Sequence, residues 1–455
     1  MRVFLLLLVG GFAIASAGHS AESRNLVGVA SAENWTYWSP RPDLAQEHDV
    51  VVRDDARTLM LRAKDFTSYG YWLTRVAGVK AGSYYRLDAL YQTEGIPEDT
   101  GGVFAVISWY PEGSNSREIQ RDYVDQEELS GQWMHVSRTV QAPEGATVAR
   151  VELGLRRTKS GAVYWRDASF TEAPAPAPRK VRIATTRIVP NLPASIPANM
   201  KLMGEILDRV GAEKPDVVLL SENFNTRSVR LPLEQKAETI PGPLTNLLAE
   251  KAKKFGMNVI TTLPERDGKL YHNTAVWIDR TGRIAGKYHK VHLTIGEMES
   301  GLTPGSEYPV FETDFGRMGI VTCWDNWFPE PMRILRLRGA EMVFMPVAGD
   351  GDPGHWNPVW AARAIDNGLY LITSSTVGDT ESRIINPKGA IIAETKDKFG
   401  YTIAEIDLNQ EWRLRYLSVA NGVGEAKSLY MRERRPDTYA PLVRDSEPVP
   451  AHPGN

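Results

Sequence analysis

Two kinds of hydrophobic patterning divide the chain. From about Asn25 to Phe170, short apolar runs alternate with polar residues at period two, the spacing of half-buried strands. The runs are Val50–Val52, Leu59–Leu61, Tyr71–Val76, Tyr84–Tyr91, Val103–Tyr110, Trp133–Val140, Val151–Arg156 and Val163–Phe170. Turn residues separate them at fairly regular intervals, which predicts an all-β sandwich. Beyond residue 179 strands and helices alternate. Strands are expected at Val181–Thr185, Val217–Leu220, Val259–Leu263, Met318–Thr322, Met342–Met345, Tyr370–Ser374 and Tyr401–Ile406. Helices are expected at Asn199–Val210, where Met200, Met203, Leu207 and Val210 share one face, and at Pro243–Phe255, Pro329–Arg338 and Trp356–Asn367. Asp279-Arg280-Thr281-Gly282 and Asn386-Pro387-Lys388-Gly389 are hairpin signals. Alternation mixed with hairpins predicts a mixed-sheet α/β or layered αββα domain.

Ala173-Pro174-Ala175-Pro176-Ala177-Pro178 separates the two halves and reads as a stiff, extended spacer. The expected organisation is then residues 1–17 as a signal peptide, 24–172 as the sandwich, 173–178 as linker, 179–442 as the α/β domain and 443–455 as a disordered tail. Length alone calls for two cores in 455 residues. The signal-peptide reading rests on Arg2, the apolar run Val3 to Ile14 and Ala15-Ser16-Ala17, with removal expected after Ala17. No cysteine stands near that site for a lipoprotein anchor, so an exported, periplasmic or extracellular protein is expected. A net charge of −3 without long basic runs argues against a nucleic-acid partner.

Export changes the meaning of the one cysteine. Cys323 has no partner for an internal disulfide, and a free thiol in an oxidising compartment must be sheltered or used. It follows an apolar strand and precedes Pro329-Glu330, a helix start. A strand-to-helix junction offers unpaired backbone N–H groups to an anion. Glu222, after Val217–Leu220, and Lys290, in Lys287-Tyr288-His289-Lys290-Val291-His292-Leu293, also stand at or just beyond the C-terminal ends of strands. Ligand sites of α/β sheets form at that edge. A carboxylate, an ammonium and a thiol together supply a base, an oxyanion partner and a nucleophile for acyl transfer. Taken singly, each has a structural explanation: a helix-start acid, a solvated charge, a core filler.

In order and surroundings these segments resemble the carbon–nitrogen hydrolase (nitrilase) superfamily, from about Arg179 to Leu442. Glu222 follows an apolar strand, with Ser221 where the family has proline. Tyr288-His289-Lys290-Val291-His292-Leu293 matches the lysine segment, with His289 in place of arginine. Thr303-Pro304-Gly305, the nucleophile segment Gly319 to Glu330, and Arg363-Ala364-Ile365-Asp366-Asn367-Gly368 complete the series. The resemblance implies a four-layer αββα sandwich with Cys323 as nucleophile, Glu222 as general base and Lys290 as oxyanion-stabilising cation. It implies a second glutamate before the Pro-Gly turn. Glu297 and Glu299 straddle its usual spacing, and the reading leans to Glu299. The Trp324 backbone N–H is expected as a second oxyanion donor. No cofactor is implied, and no His/Cys cluster has zinc spacing. His289 and His292 read as packing and supporting residues.

The expected activity is hydrolysis of a small-molecule amide or N-carbamoyl amine, with nitrile hydrolysis as the alternative. A Cys-His protease would need His272, His289, His292 or His355 as base, and none stands in a protease motif. A glycan-binding protein with an inactive hydrolase domain is the non-catalytic alternative. Family members acting on N-carbamoyl amino acids carry arginines after Cys-x-Asp, where this chain has Asn326 and Trp327. Trp324, Trp327, Trp356 and Trp360 suggest an aromatic pocket instead. In the first domain, Val151 to Phe170 resembles the closing strands of jelly-roll carbohydrate-binding modules. Trp35, Trp38, Tyr69, Tyr71, Trp72 and Trp109 would stack on a sugar or fill the core, with core packing ahead. Apolar residues in the tail, Tyr416 to Leu442, predict at least a homodimer.

Overall fold

The computed structural model describes residues 25–27, 34–97, 101–114, 117–349, 353–376, 380–415 and 422–444. The expected signal segment and the end of the expected tail lie outside them. Eleven strands form the first domain: β1 Thr36–Trp38, β2 Glu47–Arg53, β3 Ala56–Arg62, β4 Tyr69–Ala77, β5 Tyr84–Glu94, β6 Val103–Tyr110, β7 Gln120–Tyr123, β8 Gln126–Ser130, β9 Trp133–Gln141, β10 Val148–Arg156 and β11 Ala162–Ala173. One sheet runs β2-β3-β11-β5-β9-β8; the other begins β1-β4-β10-β6-β7. Alternate residues of both, including Leu59, Leu87, Ile107, Trp109, Leu153 and Trp165, meet in one buried core, so the domain is a β-sandwich. Trp35, Trp72 and Trp109 belong to that core, while Tyr71 is buried on the outer face of its sheet. Trp38 alone of the candidate sugar-stacking residues is exposed, at 39%, and it lies on Tyr71.

The second domain contains β12 Lys180–Ile188, α1 Ile196–Ala212, β13 Val217–Leu219, α2 Leu233–Lys236, α3 Pro243–Phe255, β14 Asn258–Asp267, β15 Leu270–Ile278, β16 Ile284–His289, α4 Ile295–Glu299, β17 Val310–Thr313, β18 Gly316–Ile320, α5 Pro329–Leu337, β19 Met342–Val347, α6 Pro353–Asn367, β20 Tyr370–Ser375, β21 Ser382–Ile385, β22 Ile391–Thr395 and β23 Phe399–Asp407. The sheet orders are β16-β15-β14-β13-β12-β23 and β17-β18-β19-β20-β21-β22. Between the sheets lie Ile183, Leu219, Ile320, Phe344 and Ile372. Outside the first sheet, α1 and α3 bury Met203, Leu207, Leu244 and Leu248. Outside the second, α5 and α6 bury Met332, Leu335, Trp360 and Ala364. The result is four layers, αββα.

Sequence periodicity locates α1, whose buried Met203, Ile206, Leu207 and Val210 are the apolar stripe, and Ser195 caps it by accepting from the Ala198 N–H. Pro243 opens α3 and Gly256, at φ +64°, closes it in the left-handed conformation.

The domains are not joined by the linker alone. After β23 the chain returns to the sandwich as β24 Arg413–Arg415 and β25 Val423–Glu425, and β25 adds to β7 in parallel. The helical turn α7, Leu429–Arg432, follows, and Leu429 packs on Tyr71, Phe104, Val106 and Tyr123. Within the span 179–442 expected for the α/β domain, the segment from Arg413 onward therefore joins the sandwich, whose larger sheet contains strands from both sides of the linker. The polar, short β24 and β25 carry no amphipathic period of their own, which is why local pattern does not show them.

Candidate active site

Parallel pairing of β12, β13 and β14 sends Glu222 to the C-terminal edge of its sheet. The meander β14-β15-β16 reverses twice, so Lys290, just after β16, reaches the same edge. Cys323 follows β18 of the facing sheet, which brings the thiol across to them. Its backbone lies at φ +45°, a left-handed conformation that costs a non-glycine residue about 1 kcal/mol or more. A short 3₁₀ turn, Cys323–Trp327, begins there.

Lys290 Nζ donates to Glu222 Oε1 at 3.0 Å and to Glu297 Oε2 at 2.8 Å. Asn273 Nδ2 donates to Glu222 Oε1 and Glu297 Oε1, both at 2.8 Å. The other Glu222 oxygen accepts the Ala348 N–H at 2.8 Å. Glu222, Lys290 and the backbone N–H groups of Ala348 and Gly349 all act on the Cys323 thiol. Lys290 and Glu222 are almost wholly buried, and Cys323 retains 9% exposure.

The lean toward Glu299 is corrected by this geometry. Glu297 stands against Lys290 and Asn273, whereas Glu299, at the end of α4, is exposed. Glu297 is held by a capping box: Thr294 Oγ1 accepts its N–H at 3.2 Å and its Oε2 accepts the Thr294 N–H at 2.8 Å. The Thr294-x-x-Glu297 spacing is legible in the sequence and separates the two glutamates. Asn273 is a site residue that sequence reading missed. Its signal is a polar His272-Asn273 pair in a strand that is otherwise mostly apolar.

Burial pushes the Glu222 carboxyl up, but Lys290 and the hydrogen bonds from Lys290, Cys323 and Asn273 outweigh it and hold the group below its ordinary range. Burial also opposes charge on Lys290, and Glu222, Cys323 and Glu297 overcome that and raise it. Burial and the Glu222 charge push the Cys323 thiol up to about 12, against the pull of Lys290. The resting arrangement is therefore a carboxylate, an ammonium and a neutral thiol.

Asp325 joins the nucleophile segment to the lysine segment. It accepts the Thr322 N–H at 2.9 Å, the His292 N–H at 2.9 Å and the Tyr288 hydroxyl at 2.6 Å. His292 Nδ1 is 3.0 Å from the same carboxylate, and His289 stacks on His272 and bonds Glu265. These histidines serve packing and support. Ser221 bonds Ser374 of the facing sheet at 3.0 Å, a contact that a proline there would lack. Trp356 and Trp360 are buried among Val321, Met345 and Val347, so they are core residues rather than an open aromatic pocket. Trp324, beside the nucleophile, is 39% exposed. Among the described residues no group of histidine, cysteine and carboxylate side chains could hold a metal ion.

The αββα sandwich thus brings a cysteine from one sheet against a lysine and two glutamates from the other. The carbon-nitrogen hydrolase family model matches residues 180–416, and the chain belongs to that family. It is 30% identical to the omega-amidase of Homo sapiens over 49% of this chain and 84% of that protein. It is 31% identical to the deaminated glutathione amidase of Synechocystis over 46% and 86%, and 32% identical to a probable nitrilase of Schizosaccharomyces pombe over 44% and 75%. A solved carbon-nitrogen hydrolase from Helicobacter pylori superposes with TM-score 0.51 at 25% identity, over 59% of this chain and 99% of that one.

Proposed function

We propose that the chain is an exported amidase that cleaves a carbon–nitrogen bond of a small carboxamide or N-carbamoyl amine through a thioester on Cys323. The observation that carries this reading is the placement of the Cys323 thiol beside a buried Glu222 carboxylate that Lys290, Asn273 and the Ala348 N–H hold in its ionised form. Relatives named amidases support the amide over the nitrile.

Glu222 accepts the thiol proton as sulfur attacks the carbonyl carbon. A free thiolate is not the resting state, so proton transfer and C–S bond formation proceed together. Lys290 and the Trp324 backbone N–H hold the oxyanion. Glu222 then gives its proton to the leaving nitrogen, the C–N bond breaks and a thioester remains. Water, losing a proton to Glu222, attacks the thioester; the acid leaves and the thiol is restored. Glu297 keeps Lys290 charged and, with Asn273, fixes where Glu222 points.

A panel of carboxamides, carbamoyl amines and nitriles, scored for ammonia or amine release and for acyl adducts on Cys323 by mass spectrometry, tests the reading. An adduct on another residue, or none with any amide, would overturn it. Export, with removal after Ala17, is checked by the N-terminal sequence of protein recovered outside the cytoplasm. We also propose assembly as at least a homodimer. The sandwich is read as a jelly-roll module with a structural role, and glycan contact through Trp38 is the second reading.

A further inference from the structure

The seam between the two domains forms an open cleft of about 600 Å³, lined from the sandwich by Arg86 and Arg138, from the hydrolase by Arg336 and Glu341, and from the C-terminal segment by Glu425 and Lys427. That is the size of a small-molecule site. The carboxylates at its wall are already satisfied. Asp125 pairs with Arg138 at 3.3 Å, Glu341 with Arg179 at 2.7 Å and Glu411 with Arg413 at 2.5 Å. Glu425 accepts the backbone N–H groups of Trp412 at 2.9 Å and Lys427 at 3.1 Å.

Two cations are not matched in this way. Among the described residues, Arg336, in the last turn of α5, donates only to the carbonyls of Ala340 and Lys427. Lys427 Nζ donates to the carbonyls of Leu408 at 2.8 Å and Gln410 at 2.6 Å. Neither has a carboxylate within ion-pair distance among the described residues. Desolvation accordingly lowers both, Lys427 to about 8. Glu425 and Glu341 act on both, and Asp125 on Arg336, only from beyond ion-pair distance, so two half-buried cations lack a direct anionic partner and an anion entering the cleft would give one to both.

We propose that this seam binds a small multivalent oxyanion, a polycarboxylate or a phosphate, held by Arg336 and Lys427. The ligand would touch α5, which continues from the nucleophile segment, and the tail strand that joins the sandwich. Occupancy would therefore tie the two domains together. The site is separate from the Cys323 centre and does not depend on the reaction proposed for it.

Calorimetric titration of the full chain with citrate and with inorganic phosphate, at constant ionic strength, tests the proposal. Saturable binding of either is expected, weakened about tenfold in Lys427→Met and in Arg336→Gln, as loss of a charge-assisted contact requires. Binding of citrate alone marks a carboxylate site, and of phosphate alone a phosphate site. In the wild-type chain, the bound anion should protect Lys427 from acetylation while exposed Lys201 reacts unchanged. This footprint and Lys427→Met decide the matter if Arg336→Gln does not fold. Absence of saturable heat with both anions, equal affinity in the variants, or equal acetylation of Lys427 with and without anion would overturn it.

Discussion

Arg157, in the sandwich, and Glu433, near the end of the chain, form an ion pair at 2.8 Å. The same carboxylate accepts from Arg156 and from the Tyr123 hydroxyl. A buried Asp122 of β7 pairs with Arg413 of β24, across the intervening β25. The sandwich is thus welded to the hydrolase by the tail rather than tethered by the linker. A chain beginning near Arg179 should lose thermal stability, with Tm lower by roughly 10 °C, because Leu429 and Glu433 lose the surface they pack on. Turnover of a small amide should fall with it. Equal Tm and turnover in the truncated chain would show the sandwich to be an independent module.

Cys323→Ala should remain folded and lose hydrolysis by about a thousandfold or more, since nothing else supplies the nucleophile. Glu222→Gln should be comparably inactive, because one carboxylate serves both half-reactions. Circular dichroism and ammonia release check both. Activity near wild type in either variant contradicts the mechanism.

Glu297→Gln should cut kcat about a hundredfold, by loosening Lys290 and Asn273 from their positions. Glu299→Gln should change kcat by about twofold at most, as exposed surface substitutions do. The reverse order would mean that the exposed glutamate turns inward when substrate binds. Steady-state kinetics on one amide with both variants separates the outcomes.

The site's protonation states set two pH limits. Glu222 is held below its ordinary value of 4.5. Its ionised form therefore stabilises the fold above that value, and the contribution is lost as pH falls through the lower native one. The acid limb of kcat/KM should lie in the same acid range. The Cys323 thiol, ordinarily at 9.0, is pushed up to about 12. The folded chain then holds that proton longer than the unfolded chain, so stability should decline as pH rises above 9.0. Denaturant melts of wild type and Cys323→Ala measure this: the variant should decline less, and parallel curves would contradict the shift.

Arg333, Ile365, Tyr430, Tyr439 and Leu442 line a groove between the α5–α6 layer and the tail, and Leu442 and Val443 are 67% and 87% exposed beside it. The proposed dimer would cover this face. Light scattering at micromolar concentration should give at least twice the chain mass. A monomer there would remove the assembly proposal.

Local chemistry made much of this protein readable before its coordinates. Period-two and helical patterns locate most strands, α1 and α3, because each element must bury one face. The placement of Glu222, Lys290 and Cys323 at or just after three strand ends is likewise visible. The capping box that selects Glu297 is also local, and only a lean on spacing obscured it. Other features have no local signature. Asn273 matters because antiparallel pairing sets it beside Lys290, and its amide then meets two carboxylates. Asp325 matters because it reaches the Tyr288–His292 segment more than thirty residues away. Strands β24 and β25 are short and polar, and β25 pairs with a strand just over three hundred residues earlier. Their stability comes from that partner's edge and from buried ion pairs. Contacts so distant in sequence leave no periodicity, and only the folded chain brings them together.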